Sequence, residues 1–387
     1  MKNLQRRHFL KLSAATALTP ALGFPAFAFT NKVVDDKKII ADFTGDGLNL
    51  SPREYIQLLS SLTEKDKLEA DYYSLNGCVE ELEIKFAKLL GKEAAVFMPT
   101  GTLANHIAIR TLAGENKRAI VQQESHVYND TGDGCEVLSN LNLVPLGAGK
   151  ASFTLEEVND VVERTAGGRV ASKVGVISIE SPVRRKQGEV FGYEEMKRIS
   201  AYAKKNDIKM HLDGARIFLA TPYTGVSPVE YASLFDTVYV SLYKYFNAAS
   251  GAILAGPKSI IAPLFHTRRM FGGGLHQAWA FAAVANYYAD GFTERFAKAV
   301  AIAEELIQKL AGNSHFEIHR VPSGTNIFRL TVKDMPAIAF IENLKTNGII
   351  AGAGKLSPNE VILLVNESLL KTSAAELENI LVKSLTK

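Results

Sequence analysis

Cysteine is nearly missing from this sequence: Cys78 and Cys135 are the only two among 387 residues. Two thiols exclude a disulfide framework and leave room for one bridge at most. Metal-ligand spacings of Cys and His are lacking too, so no metal centre is expected. Neither sign of charge is in excess. The net charge is +3, and four basic residues, Lys2, Arg6, Arg7 and Lys11, lie in the first 28 positions, which hold no acid; without them the balance is −1. That excludes the basic face of a nucleic-acid binder. Two stretches look phosphate-binding, Gly147–Lys150 and Gly352–Lys355. Neither has P-loop spacing, and no Gly-x-G-x-x-Gly run follows a strand, so neither a P-loop nor a dinucleotide fingerprint is present.

The amino terminus carries addressing chemistry. Arg6-Arg7-His8-Phe9-Leu10-Lys11 precedes the apolar stretch Leu12–Phe24, which ends at Ala26-Phe27-Ala28. A charged region, a hydrophobic region and an Ala-x-Ala site describe a signal peptide, here of twin-arginine type, over residues 1–28. The apolar run is short and interrupted by Pro20. It predicts cleavage after Ala28 rather than a stable span. The expectation is an exported, periplasmic protein with no membrane span once mature.

With 47% hydrophobic and 22% charged residues the rest of the chain suits a large globular protein. Residues 29–52 read as an extended arm with turn chemistry at Thr44-Gly45-Asp46-Gly47. Ser51 caps a helix to Leu62 with Pro52 in its first turn, and Val79–Leu90 is an amphipathic helix. A strand ending at Met98 runs through Pro99-Thr100-Gly101 into a helix beginning near Thr102. A helix start offers free N–H groups and the positive end of a dipole, and glycine allows close approach, so Gly101 and Thr102 are candidates for a phosphate. Strand Ala119–Gln122 leads to His126, and strand Val174–Ile179 leads to Glu180 and the basic run Arg184-Arg185-Lys186. That run is read as a solvated loop, with contact to an acidic substrate as the alternative. Tyr193–Asn206 is a helix, and Trp279–Gly291 begins a helical connection to a carboxyl-terminal domain.

The informative stretch is Ile208–Gly256. Two short apolar runs, Ile208–Leu212 and Thr237–Leu242, read as buried strands; Asp213 closes the first and Lys244 follows the second. Carboxyl ends of strands in open α/β sheets face the ligand crevice. An acid and a lysine at two such ends can meet across one cofactor. Pyridoxal phosphate needs that pair: an amine for a Schiff base and a carboxylate to keep the pyridine nitrogen protonated.

His211-Leu212-Asp213-Gly214-Ala215-Arg216 and Ser241-Leu242-Tyr243-Lys244 resemble the motifs of the threonine aldolase and aromatic amino acid β-eliminating lyase family of fold-type I pyridoxal-phosphate enzymes. The resemblance runs from about Asp42 to the carboxyl terminus. It implies an α/β fold of the PLP-dependent transferase type: a large domain with a mostly parallel sheet (53–289) and a smaller α+β domain (290–387). It implies pyridoxal 5'-phosphate bound by Lys244, Asp213, Gly101, Thr102 and a stacking His126, catalysis by Lys244 and His126, and substrate contacts from Arg216 and Tyr73. The implied reaction is cleavage of the Cα–Cβ bond of a β-hydroxy amino acid to glycine and an aldehyde. A homodimer or homotetramer is implied. The sequence departs from the family in the arm, where Thr44 is left as a possible hydroxyl donor. It departs also at His276 and Leu363, which stand where arginines are expected. These departures leave β-elimination, transamination, or a binding protein that has lost catalysis as alternatives.

Overall fold

The computed structural model describes residues 39–386 apart from 66–67, 171 and 355–356. The expected signal peptide (1–28) and the first part of the expected arm lie outside the described residues. Ile39–Lys387 forms one compact unit.

The arm contributes β1 (Ala41–Asp42) and leads to α1 (Pro52–Lys65). Ser51 caps α1 as expected: its hydroxyl accepts from the Glu54 N–H while Glu54 Oε2 accepts from the Ser51 N–H at 2.8 Å. Helix α2 (Gly77–Leu89) buries Val79, Leu82 and Phe86 on one face. Next come β2 (Ala94–Met98), α3 (Gly101–Ala113), β3 (Arg118–Gln122), β4 (Asn142–Leu146), β5 (Val174–Glu180), β6 (Lys209–Asp213), β7 (Thr237–Ser241) and β8 (Ala252–Gly256). These seven strands form one sheet in the order β2-β8-β7-β6-β5-β3-β4. The pairs from β4 to β7 are parallel, and β8 alone runs antiparallel to both its neighbours. Every residue of β5, β7 and β8 is buried, as expected for strands covered by helices on both faces.

A second, antiparallel sheet follows. Its strands β9 (Phe316–Arg320), β10 (Ile327–Val332), β12 (Gly352–Ala353) and β13 (Glu360–Leu364) lie in the order β12-β13-β10-β9, and β11 (Ile349–Ile350) pairs in parallel with β1. The expected architecture, a large mostly parallel sheet with a smaller α+β part, is what the chain forms. The connecting helix breaks at Asp290-Gly291, where Gly291 adopts φ 62°, so Trp279–Ala289 and Phe292–Ala311 are separate helices. Cys78 and Cys135 are both buried and free.

Leu363 needs a correction. It is 1% exposed, faces the hydrophobic core of the small sheet and pairs with Phe328 across β10. Strand residues alternate faces, so a position set by sequence alone is one residue away from the opposite side. Leu363 is a packing residue, and the position where an arginine was expected is not among the cavity walls.

Candidate active site

Parallel β6 and β7 end side by side, and their registers pair His211 with Thr237 and Asp213 with Tyr239. Residues two apart on a strand share a face, so all four project toward α3. Asp213 is 3% exposed. Its Oδ2 accepts from Asn105 Nδ2 at 2.6 Å and its Oδ1 from the Ala215 N–H at 3.1 Å. Asn105 sits one helical turn into α3, four residues after Gly101, and its Oδ1 lies 2.9 Å from His211 Nε2. Burial holds His211 down to about 4, so the ring is neutral and carries one proton. Because Asn105 donates to Asp213, its oxygen must accept, which fixes that proton on Nε2. His211 Nδ1 then accepts from the Thr237 hydroxyl at 2.8 Å. This buried chain sets the direction of the Asp213 carboxylate. Asn105, His211 and Thr237 carry no role in the sequence reading. The spacings Gly101–Asn105 on a helix and His211–Asp213 on a strand were the signals for them.

Lys244 follows β7 by three residues. Its Nζ donates to the Tyr243 hydroxyl at 3.1 Å, 4.4 Å from the centre of that ring. Burial, then the Arg216 charge, lowers its pKa and enlarges the fraction of free amine. The arm packs directly against this turn: a Cβ on Gly47 would fall 2.3 Å from the Lys244 carbonyl oxygen. Beside it Asp46 Oδ2 accepts from Arg216 Nε at 2.8 Å, with side chains 6% and 15% exposed. Asp46 Oδ1 accepts from Asn326 Nδ2 at 3.2 Å. The nearby carboxylates of Asp46 and Glu180 outweigh burial and raise the Arg216 pKa, so the guanidinium stays charged.

His126 begins a short helix after β3, and its N–H donates to Glu180 Oε2 at 2.6 Å. Burial lowers its pKa and favours a neutral ring. Glu180 Oε1 accepts from the Arg184 N–H at 2.8 Å. Burial first, then the Asp213 charge, raises the Glu180 pKa. Asp130 pairs with Arg184 and, at 3.1 Å, with Arg185. At α3, the Thr100 side chain accepts from the Leu103 N–H. That leaves the N–H groups of Gly101 and Thr102 without helical partners.

These groups share one cavity of about 680 Å³, lined by Gly101, Thr102, His126, Asp213, Arg216 and Lys244, with Asp46, Glu180, Arg184 and Tyr239 among its other walls. Six of the seven expected site residues therefore meet. Tyr73 does not line the cavity. Its ring packs edge-on against Tyr72 and His276 and lies under Arg269, while its carbonyl accepts from the buried Arg268 at 3.2 Å. Thr44 turns its hydroxyl to Asp42 at 2.6 Å. An adjoining apolar cavity of about 460 Å³ shares Asn49, Tyr243 and Lys244 and is walled by Leu50, Pro52, Tyr55 and Ile56.

The residues present fit pyridoxal phosphate. A carboxylate, an amine whose charged form burial disfavours, and an imidazole kept toward its neutral form face one space with a helix start. Gly101 is a cradle that only glycine permits, since a Cβ there would lie 1.9 Å from the Tyr239 hydroxyl.

Residues 65–333 match the model of the beta-eliminating lyase family. The low-specificity L-threonine aldolase of Eremothecium gossypii is 32% identical over 240 residues, 61% of each chain, so this chain spans about three fifths of that relative's length. The low specificity L-threonine aldolase of Escherichia coli is 27% identical over 290 residues, 74% of this chain and 84% of the relative. A solved Listeria monocytogenes structure, provisionally described as an L-allo-threonine aldolase, is similar at 28% identity and a TM-score of 0.73, covering 90% of this chain and 96% of that one.

Proposed function

The chain belongs to the beta-eliminating lyase family, and from that premise we propose that it is a pyridoxal-phosphate-dependent aldolase that splits a β-hydroxy amino acid into glycine and an aldehyde. The observation that carries this reading is the meeting of Lys244 and Asp213, from the ends of neighbouring strands, in one cavity with the start of α3.

When bound, the cofactor supplies an electron sink for the charge left on Cα as a bond to it breaks. Lys244 would hold the cofactor covalently through its amine, whose charged form burial and the Arg216 charge disfavour. Asp213, aimed by Asn105 and Ala215, would hold a proton on the pyridine nitrogen. Gly101 and Thr102 would offer backbone N–H groups to the phosphate. Among the described residues Arg216 is engaged through Nε by Asp46, which leaves its two terminal nitrogens as a fork for the substrate carboxylate. His126 forms a neutral wall of the cavity, and its ring can accept the β-hydroxyl proton. The apolar side cavity favours a larger β-substituent than the methyl of threonine.

The test is to incubate the purified protein with L-threonine, L-allo-threonine and phenylserine, and to follow products by mass. Glycine and aldehyde should appear in equal amounts, faster from phenylserine, and vanish in Lys244→Ala. Release of ammonia with a 2-oxo acid would replace this reading by β-elimination. The family resemblance supports a homo-oligomer, testable by sedimentation. The twin-arginine pattern supports export, testable by fractionation of the producing cell.

A further inference from the structure

We propose that the Tyr239 hydroxyl is a donor to the cofactor phosphate, completing an anion seat with the first two N–H groups of α3; this rests on the pyridoxal-phosphate reading above. Tyr239 is 3% exposed, yet it lines the central cavity. Its hydroxyl lies directly against Gly101, the first residue of α3, closer than any side chain at that position would allow. Among the described residues, no group hydrogen-bonds this phenol. Ser241, two residues along the same strand face, is near enough to act on it, yet the Ser241 hydroxyl is itself buried without a partner. The geometry makes no bond between the two.

A hydroxyl that opens onto a cavity and lacks a protein partner finds one in a ligand or water. The direction of this one selects the ligand's chemistry. It stands beside two unpaired N–H groups at the positive end of a 13-residue helix. All three are donors, because burial, with the nearby Asp213 charge second, raises the Tyr239 pKa and keeps the phenol protonated. Three convergent donors match the three terminal oxygens of a phosphate monoester. The neighbouring Asp213 carboxylate is already met by Asn105 and Ala215.

The test uses the full chain stripped of cofactor, as wild type and as Tyr239→Phe, titrated with pyridoxal phosphate and with pyridoxal. A lost charge-assisted hydrogen bond should weaken pyridoxal phosphate binding by about ten- to a hundredfold. Binding of pyridoxal, which has no phosphate, should stay as in wild type. Equal pyridoxal phosphate affinity in both proteins overturns the proposal, as does an equal loss for both ligands. Inorganic phosphate gives a second measurement: it should raise the melting temperature of the stripped wild type and raise that of Tyr239→Phe less, and equal shifts overturn the proposal. If wild type takes up pyridoxal phosphate with no dependence on Lys244, the cofactor reading itself falls. If it takes it up through Lys244 and Tyr239→Phe is indistinguishable, only this inference falls.

Discussion

Removing the Asp46 carboxylate tests whether the arm is part of the site or merely rests on it. Asp46 bonds Arg216 at 2.8 Å with both side chains largely out of water, and its other oxygen holds Asn326. Breaking one side of a buried ion pair typically costs about 3–5 kcal/mol, because a charge is left uncompensated. The lower end applies here, since Arg216 borders a cavity that admits water and Glu180 still acts on it. Asp46→Ala should therefore lose about 3 kcal/mol of unfolding free energy at neutral pH. Asp46→Asn has one acceptor oxygen in place of two, so it keeps one of the two bonds and should lose about 1.5–3 kcal/mol, the range of a hydrogen bond to a charge. Urea unfolding of both variants gives these values from the midpoint shift. Adding Arg216→Ala to Asp46→Ala should restore part of the loss, since the stranded charge is then gone. The reasoning fails if Asp46→Ala costs under about 1 kcal/mol, or if the two substitutions are additive.

A second prediction concerns pH. Burial raises Glu83 from 4.5 to about 7, against the Phe97 N–H bond and the Arg268 charge that favour its ionised form. A folded-state pKa above the unfolded one means the native state binds more protons between these values, so this group's contribution to stability falls as pH rises through that window. Glu83→Gln keeps an acceptor for Phe97 but cannot ionise; its stability relative to wild type should rise from pH 4.5 to 7, and a flat difference refutes the assignment. A third concerns the core. Leu363→Arg places an unpaired charge at a position 1% exposed, so it should cost more than about 4 kcal/mol and lower the melting temperature; improved binding of threonine with unchanged stability would contradict the packing described.

The parts of the site legible in the sequence are those set by local runs. Asp213 closes one short apolar strand, Lys244 follows another, and Gly101 stands between a strand and a helix, so local pattern placed them at the crevice side of the sheet, while their roles came from the resemblance. The fold class was legible through the resemblance carried by His211–Arg216 and Ser241–Lys244. Asp46 was not, because its partner Arg216 is 170 positions away and nothing near Thr44-Gly45-Asp46-Gly47 distinguishes a site carboxylate from turn chemistry. Leu363 stands where an arginine was expected, and that its position faces the core was not readable because register depends on the strand beside it. Tyr239 looked like an ordinary β-former in a buried strand, and only its hydroxyl's place against Gly101 distinguishes it. Tyr73 was drawn by resemblance to the substrate, and in this chain Tyr72, His276 and Arg269 surround its ring.

The arm has a consequence for the order in which the molecule can be made. The N–H of Asp42 donates to the Ser368 hydroxyl across 326 positions, and Asn366 donates to the carbonyls of Asp42 and Gly45. A ribosome releases the arm first and its partners almost last. Until then the arm rests on the large sheet through fewer bonds, such as that from the Leu48 N–H to Asn247 Oδ1 at 2.7 Å. Closing a loop of that length costs roughly 5 kcal/mol from its logarithmic dependence on length. The large sheet, whose strands all lie between Ala94 and Gly256, has no such wait. A nascent chain can therefore shape most of the crevice early, while the wall beside Arg216 gains its last anchors only with the final turns of synthesis. A chain cut short before Glu360 would carry Lys244 and Asp213 in place and still lack the Asn366 and Ser368 anchors that draw the arm across them.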